Sequence, residues 1–208
     1  MSTWLVGAGY MALEYAKVLN ELVSEYEVIG RGHKSAIDFE SSTNHSVRQG
    51  GLSKALKELK PPKQAIVAVG VEDLSKVAAE LVRSGVKRIL LEKPGGINKQ
   101  EIFELNSVAK SYNAKILIAY NRRFYESTMA LKELIAIDGG ATSCIFEFTE
   151  WSHIIGPLKK GPGVKDAWFL ANSSHIADLA FHICGYPKDF SAWPVSYTHL
   201  TLPTIYSV

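Results

Sequence analysis

The feature that most constrains the fold is a glycine turn near the start of the chain, Gly7-x-Gly9-x-x-Ala12, which separates an apolar run from a helical pattern. Residues 3–6 are apolar enough for a buried strand, and apolar side chains then recur at helical spacing over 11–22. A strand that turns through glycine directly into a helix is typical of the first half of a β-α-β unit. We therefore predict strand, turn and helix, in this order.

Strand and helix patterns continue to alternate as far as Tyr120. The polar stretch 35–51 has no clear period, and we predict loops there with one short strand around Ile37. Strict alternation favours a doubly wound α/β fold, in which helices cover both faces of a parallel sheet. The further predicted strands are 26–30, 64–69, 88–91 and 115–119, and the further predicted helices are 52–59, 74–84 and 99–112.

The pattern changes in the last third of the chain. A helix is predicted over 125–137, and residues 142–150 then alternate apolar and polar side chains, which is typical of a half-exposed antiparallel strand. Another helix is predicted over 172–184. We therefore expect a first domain over 1–121 and, over 122–194, an incomplete α+β domain with a mostly antiparallel sheet.

Composition places the chain among ordinary globular proteins. Of 208 residues, 47% are hydrophobic and 21% are charged, and the net charge is +2. This balance gives no electrostatic case for nucleic acid or a membrane surface as a partner. Cys144 and Cys184 have no paired spacing and no nearby metal ligands, so we predict two buried thiols, no metal and a reducing compartment. Residues 1–5 lack a secretory signal pattern, and we expect a cytoplasmic protein.

The last residues of the chain carry an unusual pattern. Val195 to Thr204 resembles one reading frame of the transposase adapter used in shotgun sequencing libraries, and that frame is expected to end in a valine, as the chain does at Val208. We therefore interpret residues 195–208 as a non-native tail and exclude them from the fold. We expect the natural sequence to continue beyond Pro194.

The glycine turn also predicts a ligand. In this context the first glycine makes the tight turn, the second lets the backbone approach a pyrophosphate, and a small third residue packs helix on strand. Free N–H groups at the helix N-terminus then bind the phosphates. We predict a dinucleotide-binding Rossmann domain, the alternative being a glycine turn without a ligand. The predicted contacts are Gly7, Gly9, Tyr10, Met11, Ala12 and, after the 64–69 strand, Gly70.

The end of the second predicted strand indicates which nicotinamide cofactor binds. NAD enzymes usually place Asp or Glu there for the ribose 2′-hydroxyl. This chain has Arg31 and Lys34 there and no carboxylate. A guanidinium can pair with the 2′-phosphate of NADP in a bidentate fork. We therefore predict NADP as the preferred cofactor and NAD as the second candidate, the alternative being that both cations are solvated loop residues.

Four motifs together resemble those of the Gfo/Idh/MocA oxidoreductases, over about residues 3–190. They are the glycine turn, Glu92-Lys93-Pro94, the Tyr-Asn-Arg-Arg-Phe segment at 120–124, and His175-x-x-Asp178. The resemblance implies a Rossmann domain followed by a catalytic domain with an open, mostly antiparallel sheet. It also implies transfer of hydride between the nicotinamide and a hydroxyl-bearing carbon of a sugar, cyclitol or nucleotide sugar.

The resemblance implies catalytic roles for individual residues. Lys93 would lie beside the nicotinamide and the reacting oxygen, where a cation stabilises the developing oxyanion. Glu92 and Pro94 belong to the same cofactor-binding motif. His175 matches the general acid/base of the family, and its ordinary pKa suits proton transfer near neutrality. Asp178, one helical turn further on, would orient the site or bind substrate.

The resemblance also implies a substrate pocket lined by Arg123 and Trp168, although Trp168 suits a core position equally well. The family often has an aspartate four residues before the histidine, where this chain has Ala171. Either Asn172 takes over the orienting role without a charge, or catalysis is weakened or changed.

Two alternatives to an active enzyme therefore stay open. One is a non-catalytic dinucleotide-binding sensor or scaffold. The other is a chain that, at this length, binds cofactor without turnover. For the parent protein we expect a homo-oligomer that acts on a small sugar-like substrate.

Overall fold

A computed structural model describes residues 2–189 and residue 191 of the chain. Its centre is a sheet of six parallel strands, β1 (Thr3–Val6), β2 (Tyr26–Gly30), β3 (Val47–Gln49), β4 (Gln64–Val67), β5 (Arg88–Leu91) and β6 (Lys115–Ile118). They are arranged in the order β3-β2-β1-β4-β5-β6. The chain winds outward from β1 in both directions, which confirms the predicted doubly wound α/β fold.

Helices connect the strands and continue after the last one. They are α1 (Tyr10–Glu21), α2 (His33–Thr43), α3 (Leu52–Glu58), α4 (Leu74–Arg83), α5 (Lys99–Ser111), α6 (Glu126–Ile137), α7 (Ser152–Ile155) and α8 (Ser174–Cys184). Short 3₁₀ turns occupy Val71–Asp73 and Asn121–Phe124, and a π-helical turn, Phe169–Ser173, leads into α8. The helices that the sequence predicted are all present, with ends displaced by about two residues or fewer.

Two apolar clusters hold the helices on opposite faces of the sheet. One cluster joins Leu5 and Val28 of the central strands with α1 and α2, through Ala16 and Phe39. The other joins the opposite face with α3, α4 and α5. Successive side chains of a strand point to opposite faces, so the central strands are buried on both sides. Because both faces of the central strands are covered, polar side chains are found in the loops at the strand ends.

One part of the sheet surface is incompletely covered by the described residues. Ile66, Leu90 and Leu117 lie side by side on β4, β5 and β6. They line a hollow of about 670 Å³, and Leu117 is 54% exposed. None of the predicted site residues lines this hollow.

The stretch after β2 differs from the prediction. Residues 33–43 form α2, so the prediction of loops with a strand around Ile37 is wrong. The helix buries Ala36 and Phe39, three residues apart, and leaves Ile37 48% exposed. Two buried side chains make a narrow apolar stripe, and the polar residues around it conceal the helical period in the sequence. The short strand of this region is β3, further along the chain.

Residues 142–150 are not the antiparallel strand that their alternation predicted. They form neither strand nor helix, and the sheet of the described residues contains parallel pairs alone. A strand needs a neighbour for its backbone hydrogen bonds, and the described chain offers none beside this segment. Cys144 lies in this segment and is exposed, while Cys184 is half-buried, so the prediction of two buried thiols is also wrong.

The proposed non-native tail, residues 195–208, lies outside the described residues. Within the residues that are described, no helix combines the length and the apolar character needed to cross a lipid bilayer. The division into domains at 1–121 and 122–194 stays a prediction.

We expect Phe39→Ala to lower the free energy of unfolding by about 3–5 kcal/mol, because it removes a fully buried aromatic side chain and leaves a cavity beneath α2. Ile37→Ala changes the exposed side of the same helix and is the matched control, with an expected cost below about 1 kcal/mol. Urea denaturation followed by circular dichroism measures both losses. Equal losses for the two variants would contradict the packing of α2.

Candidate active site

The glycine turn is shaped by a close approach between β1 and the segment after β4. Gly7 has a φ of +124°, and a Cβ there would lie 2.1 Å from the carbonyl oxygen of Ala68. Only glycine fits this position. Gly9 caps α1, and a Cβ on it would meet no protein atom within 4 Å. The fold therefore requires the first glycine, while the second faces open space.

That open space belongs to a cleft of about 740 Å³ at the carboxyl ends of β1, β2 and β4. The helix α1 begins at this cleft, and the first N–H groups of a helix have no partner inside it. Ala12 is fully buried beneath the turn, as its predicted packing role requires. Six of the predicted cofactor residues line the cleft, whereas Glu92, Lys93 and Pro94 do not; the six are Gly7, Gly9, Tyr10, Met11, Arg31 and Gly70.

Arg31 has a partner that the sequence pattern did not indicate. Its Nη1 donates to Oδ2 of Asp73 over 2.9 Å, and Asp73 lines the same cleft. The Arg31 side chain is 80% exposed and that of Asp73 is 27% exposed. An ion pair this exposed contributes little to stability. The main consequence of the ion pair is therefore positional, because it holds the Arg31 guanidinium beside Asp73 at the cleft.

Glu92 follows β5 and is buried. Its carboxylate accepts a hydrogen bond of 2.6 Å from the hydroxyl of Tyr15 on α1, and its backbone N–H donates to the carbonyl of Val67 over 2.9 Å. Burial and then this hydrogen bond raise the pKa of Tyr15. Glu92 thus ties the end of β5 to α1. Its predicted contact with the cofactor stays a prediction.

Lys93 joins the sheet to the turn that precedes α8. Its Nζ donates to the backbone carbonyl of Ala171 over 2.8 Å and lies 3.5 Å from that of Asn172. The peptide bond between Lys93 and Pro94 is cis. Burial lowers the pKa of the Lys93 ammonium, although the charge of Glu92 opposes the shift. Lys93 therefore presents a partly desolvated cation at the edge of the sheet.

His175 lies in the first turn of α8, within the field of Lys93. Burial lowers the pKa of His175 to about 4, and the positive charges of Lys93 and Arg122 act in the same direction. Its ring is edge-on to the ring of Tyr120, with 5.7 Å between the centroids. Its Nδ1 is buried and has no hydrogen-bond partner among residues 2–189 and 191. At neutral pH His175 is therefore an uncharged imidazole with unused hydrogen-bonding capacity.

Asp178, one turn further along α8, forms an ion pair with Arg123. Nε and Nη2 of Arg123 donate to the two carboxylate oxygens, Nε over 2.8 Å. This contact raises the pKa of Arg123. The guanidinium also lies 5.7 Å from the ring centroid of Tyr120. Arg123 was predicted to bind substrate and Asp178 to assist catalysis, and in the structure the two side chains bind each other. The ring of Tyr120 lies between this ion pair and His175.

Glu150 is a second residue that the sequence pattern did not indicate. Its carboxylate accepts hydrogen bonds from the hydroxyl of Ser173 and from Nδ2 of Asn172, the latter over 3.0 Å. The contact with Ser173, followed by that with Asn172, lowers the pKa of Glu150. A carboxylate therefore lies at the π-helical turn, where Ala171 offers none. Trp168, half-buried, immediately precedes this turn.

Most of the predicted site residues thus form two groups at one edge of the sheet. The first group lines the cleft beside the glycine turn. The second group, the lysine–histidine cluster, consists of Lys93, Tyr120, Arg123, His175 and Asp178. It offers an ammonium that can stabilise negative charge and a neutral imidazole that can accept a proton. Site residues to which the sequence assigned no role are Tyr15, Asp73, Tyr120 and Glu150.

Comparison with known proteins adds to this geometry. No protein-family model matches the chain. It is 27% identical over 135 residues to trans-1,2-dihydrobenzene-1,2-diol dehydrogenase of Mus musculus, covering 63% of this chain and 40% of that protein. It is similar in structure to the WlbA dehydrogenase from Bordetella pertussis in complex with NADH and UDP-GlcNAcA, with a TM-score of 0.71 at 16% identity over 89% of this chain and 59% of that one. For GenD2 from gentamicin A biosynthesis in complex with NAD, the TM-score is 0.66 at 18% identity, over 88% and 53% of the two chains.

These structural relatives are dehydrogenases of the Gfo/Idh/MocA type. The resemblance predicted from the motifs is confirmed. At these identities the structural similarity establishes the fold. The chain spans between 40% and 59% of the length of these three relatives.

We expect His175 to make the folded state less stable as the pH falls. An unfolded histidine titrates near about 6.5, whereas folded His175 titrates at about 4. Between these values the unfolded state binds more protons, so stability is full above about pH 6.5 and decreases toward pH 4.

His175→Asn should remove this dependence, so the variant should become more stable relative to wild type as the pH is lowered. Thermal melting followed by circular dichroism, from about pH 7.5 to pH 4.5, measures the difference. A difference in melting temperature that stays constant with pH would contradict burial of a neutral His175.

Proposed function

We propose that the chain is part of an NAD(P)-dependent oxidoreductase of the Gfo/Idh/MocA type. The reaction is transfer of hydride between the nicotinamide and a hydroxyl-bearing carbon of a sugar, cyclitol or nucleotide sugar. The observation that carries the proposal is the bond from Lys93 to the turn before His175. It puts an ammonium and a neutral imidazole together at the edge where the sheet carries its open glycine turn. This edge is where doubly wound sheets bind ligands.

The cleft fits a dinucleotide. The open Cβ position of Gly9 leaves room for a pyrophosphate to approach the backbone. The N-terminus of α1 supplies free N–H groups and a positive dipole end to the same place. A volume of about 740 Å³ lies within the usual range for ligand pockets.

A bound nicotinamide would supply the hydride acceptor or donor. In the direction of oxidation, the substrate hydroxyl loses its proton while its carbon loses hydride. The neutral imidazole of His175 accepts that proton, and the ammonium of Lys93 stabilises the negative charge that develops on oxygen. The carbonyl of Ala171 holds Nζ of Lys93, so the cation is positioned before the substrate arrives.

Arg31 supports NADP as the preferred cofactor, because its guanidinium lines the cleft and can pair with a 2′-phosphate. NAD stays the second candidate. The WlbA and GenD2 structures are complexes with NADH and NAD, respectively.

A sugar-like substrate is supported by the same comparison, since the WlbA complex contains UDP-GlcNAcA. We extend the proposal to a Rossmann domain over 1–121, a substrate-binding domain over 122–194, a homo-oligomeric parent protein and a cytoplasmic location. A net charge of +2 gives no support for nucleic acid or membrane partners.

A non-catalytic dinucleotide-binding sensor is the second candidate function. The observation in its favour is the pairing of Arg123 with Asp178, which occupies two groups that an active site would offer to substrate. Ala171 at the position of the usual family aspartate points the same way. The enzyme requires Lys93 and His175 for turnover, whereas the sensor binds the dinucleotide and has no turnover.

We expect Gly9→Ala to weaken the binding of NADPH and NADH by at least about tenfold, because the new methyl group occupies the space left for the pyrophosphate. No protein atom lies near that methyl group, so the melting temperature should change by less than about 5 °C. Fluorescence titration measures the binding. Gly156→Ala, at a residue outside the cleft lining, is the control and should bind as wild type does. Unchanged binding by Gly9→Ala would mean that the turn is only structural.

In the longest natural chain that contains residues 1–194, we expect Lys93→Ala and His175→Ala each to lower kcat/KM by about 10²–10⁴-fold. Nicotinamide absorbance measures turnover with a panel of polyols, sugars and nucleotide sugars. Lys99→Ala and His153→Ala change exposed residues outside the cluster and serve as controls. An unchanged kcat/KM in both Lys93→Ala and His175→Ala would contradict the proposed mechanism. Binding of cofactor without turnover of any panel member would favour the sensor.

A further inference from the structure

An ion pair crosses the cleft between two strand ends. In the sheet, β2 and β4 are the immediate neighbours of β1, one on each side. Arg31 directly follows β2, Asp73 ends the 3₁₀ turn after β4, and their side chains meet at 2.9 Å. Gly7 and Gly9 line the same cleft. The ion pair therefore joins the walls on either side of the glycine turn.

The backbone beside Arg31 is tied to the start of α3, because the N–H of Gly51 donates to the carbonyl of Gly30 over 2.9 Å. The contact with Asp73 uses one of the five N–H donors of the guanidinium. Other donors remain for an anion in the cleft, but that anion would lie next to a carboxylate.

We infer that Asp73 limits the preference for NADP that Arg31 provides, by competing with the 2′-phosphate of NADP for the Arg31 guanidinium. This inference rests on the proposed function, because it takes a nicotinamide dinucleotide as the ligand of the cleft. The 2′-phosphate needs the guanidinium and is repelled by the carboxylate that already holds it. NAD carries a neutral 2′-hydroxyl instead, for which a carboxylate is a suitable acceptor. Asp73 thus supplies, from the 3₁₀ turn after β4, the carboxylate that is absent after β2.

The charges around the cleft support this assignment. The charged residues in its lining are Arg31, Lys76, Asp73 and Glu80, two cations and two anions whose formal charges sum to zero. The carboxylate of Glu80 accepts a hydrogen bond of 2.6 Å from the hydroxyl of Ser53, whereas the carboxylate of Asp73 pairs with Arg31. Loss of the Asp73 charge would leave the lining with a net charge of +1, which favours the more anionic cofactor.

The test compares the Kd values of NADPH and NADH for wild type and for Asp73→Asn, measured by fluorescence titration of the full chain. Asparagine keeps the size of the side chain and is favoured at the start of a helix, so α4 is retained. We expect the Kd of NADPH to fall about 3- to 10-fold and that of NADH to stay equal or rise. Added salt should reduce the gain for NADPH.

Two further variants separate competition from other effects. Glu72→Gln removes the same charge one residue earlier, from a side chain outside the cleft lining, and should leave the ratio of the two Kd values unchanged. In an Arg31→Ala background, the gain caused by Asp73→Asn should largely disappear, because the guanidinium for which the anions compete is gone.

Four results would overturn the inference and leave dinucleotide binding intact. They are an unchanged ratio in Asp73→Asn, weaker binding of NADPH by that variant, the same change of ratio in Glu72→Gln, and an equal gain without Arg31. Failure of a folded wild-type chain to bind either cofactor would overturn the proposed function, and the inference with it.

Discussion

Gly7 and Ala68 approach each other so closely that no side chain fits between them, and the geometry of the site depends on this approach. Backbone hydrogen bonds secure it on both sides, from Gly7 to Ile29 over 2.9 Å and from Ala68 to Val6 over 2.8 Å. The turn after β1 therefore packs directly on the segment after β4. As a result, α1 begins at the carboxyl edge of the sheet. Because parallel strands all end at this edge, the loops that follow β2, β4 and β5 bring their side chains to one place.

Burial gives the lysine–histidine cluster its chemical character. The ammonium of Lys93 loses part of its hydration and receives a carbonyl contact from Ala171 in exchange. The same burial disfavours charge on His175, which therefore stays neutral beside the lysine. Arg123 is neutralised by its bidentate contact with Asp178. The cluster therefore offers the Lys93 ammonium next to a neutral base, the kinds of group that assist removal of hydride and a proton from an alcohol.

Particular elements show where pattern reading succeeds and where it fails. The glycine turn and the short apolar strands were predicted correctly, because their signals are local: a tight approach demands glycine, and a strand buried on both faces must be apolar. The helix α2 was missed because only Ala36 and Phe39 mark its buried side. Residues 142–150 show the opposite error, since alternation without a neighbouring strand does not make a strand. The wrong prediction of a buried Cys144 follows from that second error, since Cys144 lies in this segment and is exposed.

The sequence by itself determined the glycine turn and most of the strands and helices of the doubly wound fold, because each depends on a pattern within a short segment. Its resemblance to a known family pointed to Lys93 and His175. Only the tertiary structure decided which group meets which. The partners Arg31 and Asp73 lie 42 positions apart, and Glu150 lies 22 positions from Asn172. Contacts at such separations depend on how whole strands and helices are placed, and a local pattern carries no record of that placement. The charge balance of the cleft and the carboxylate at the π-helical turn are therefore properties of the folded chain alone.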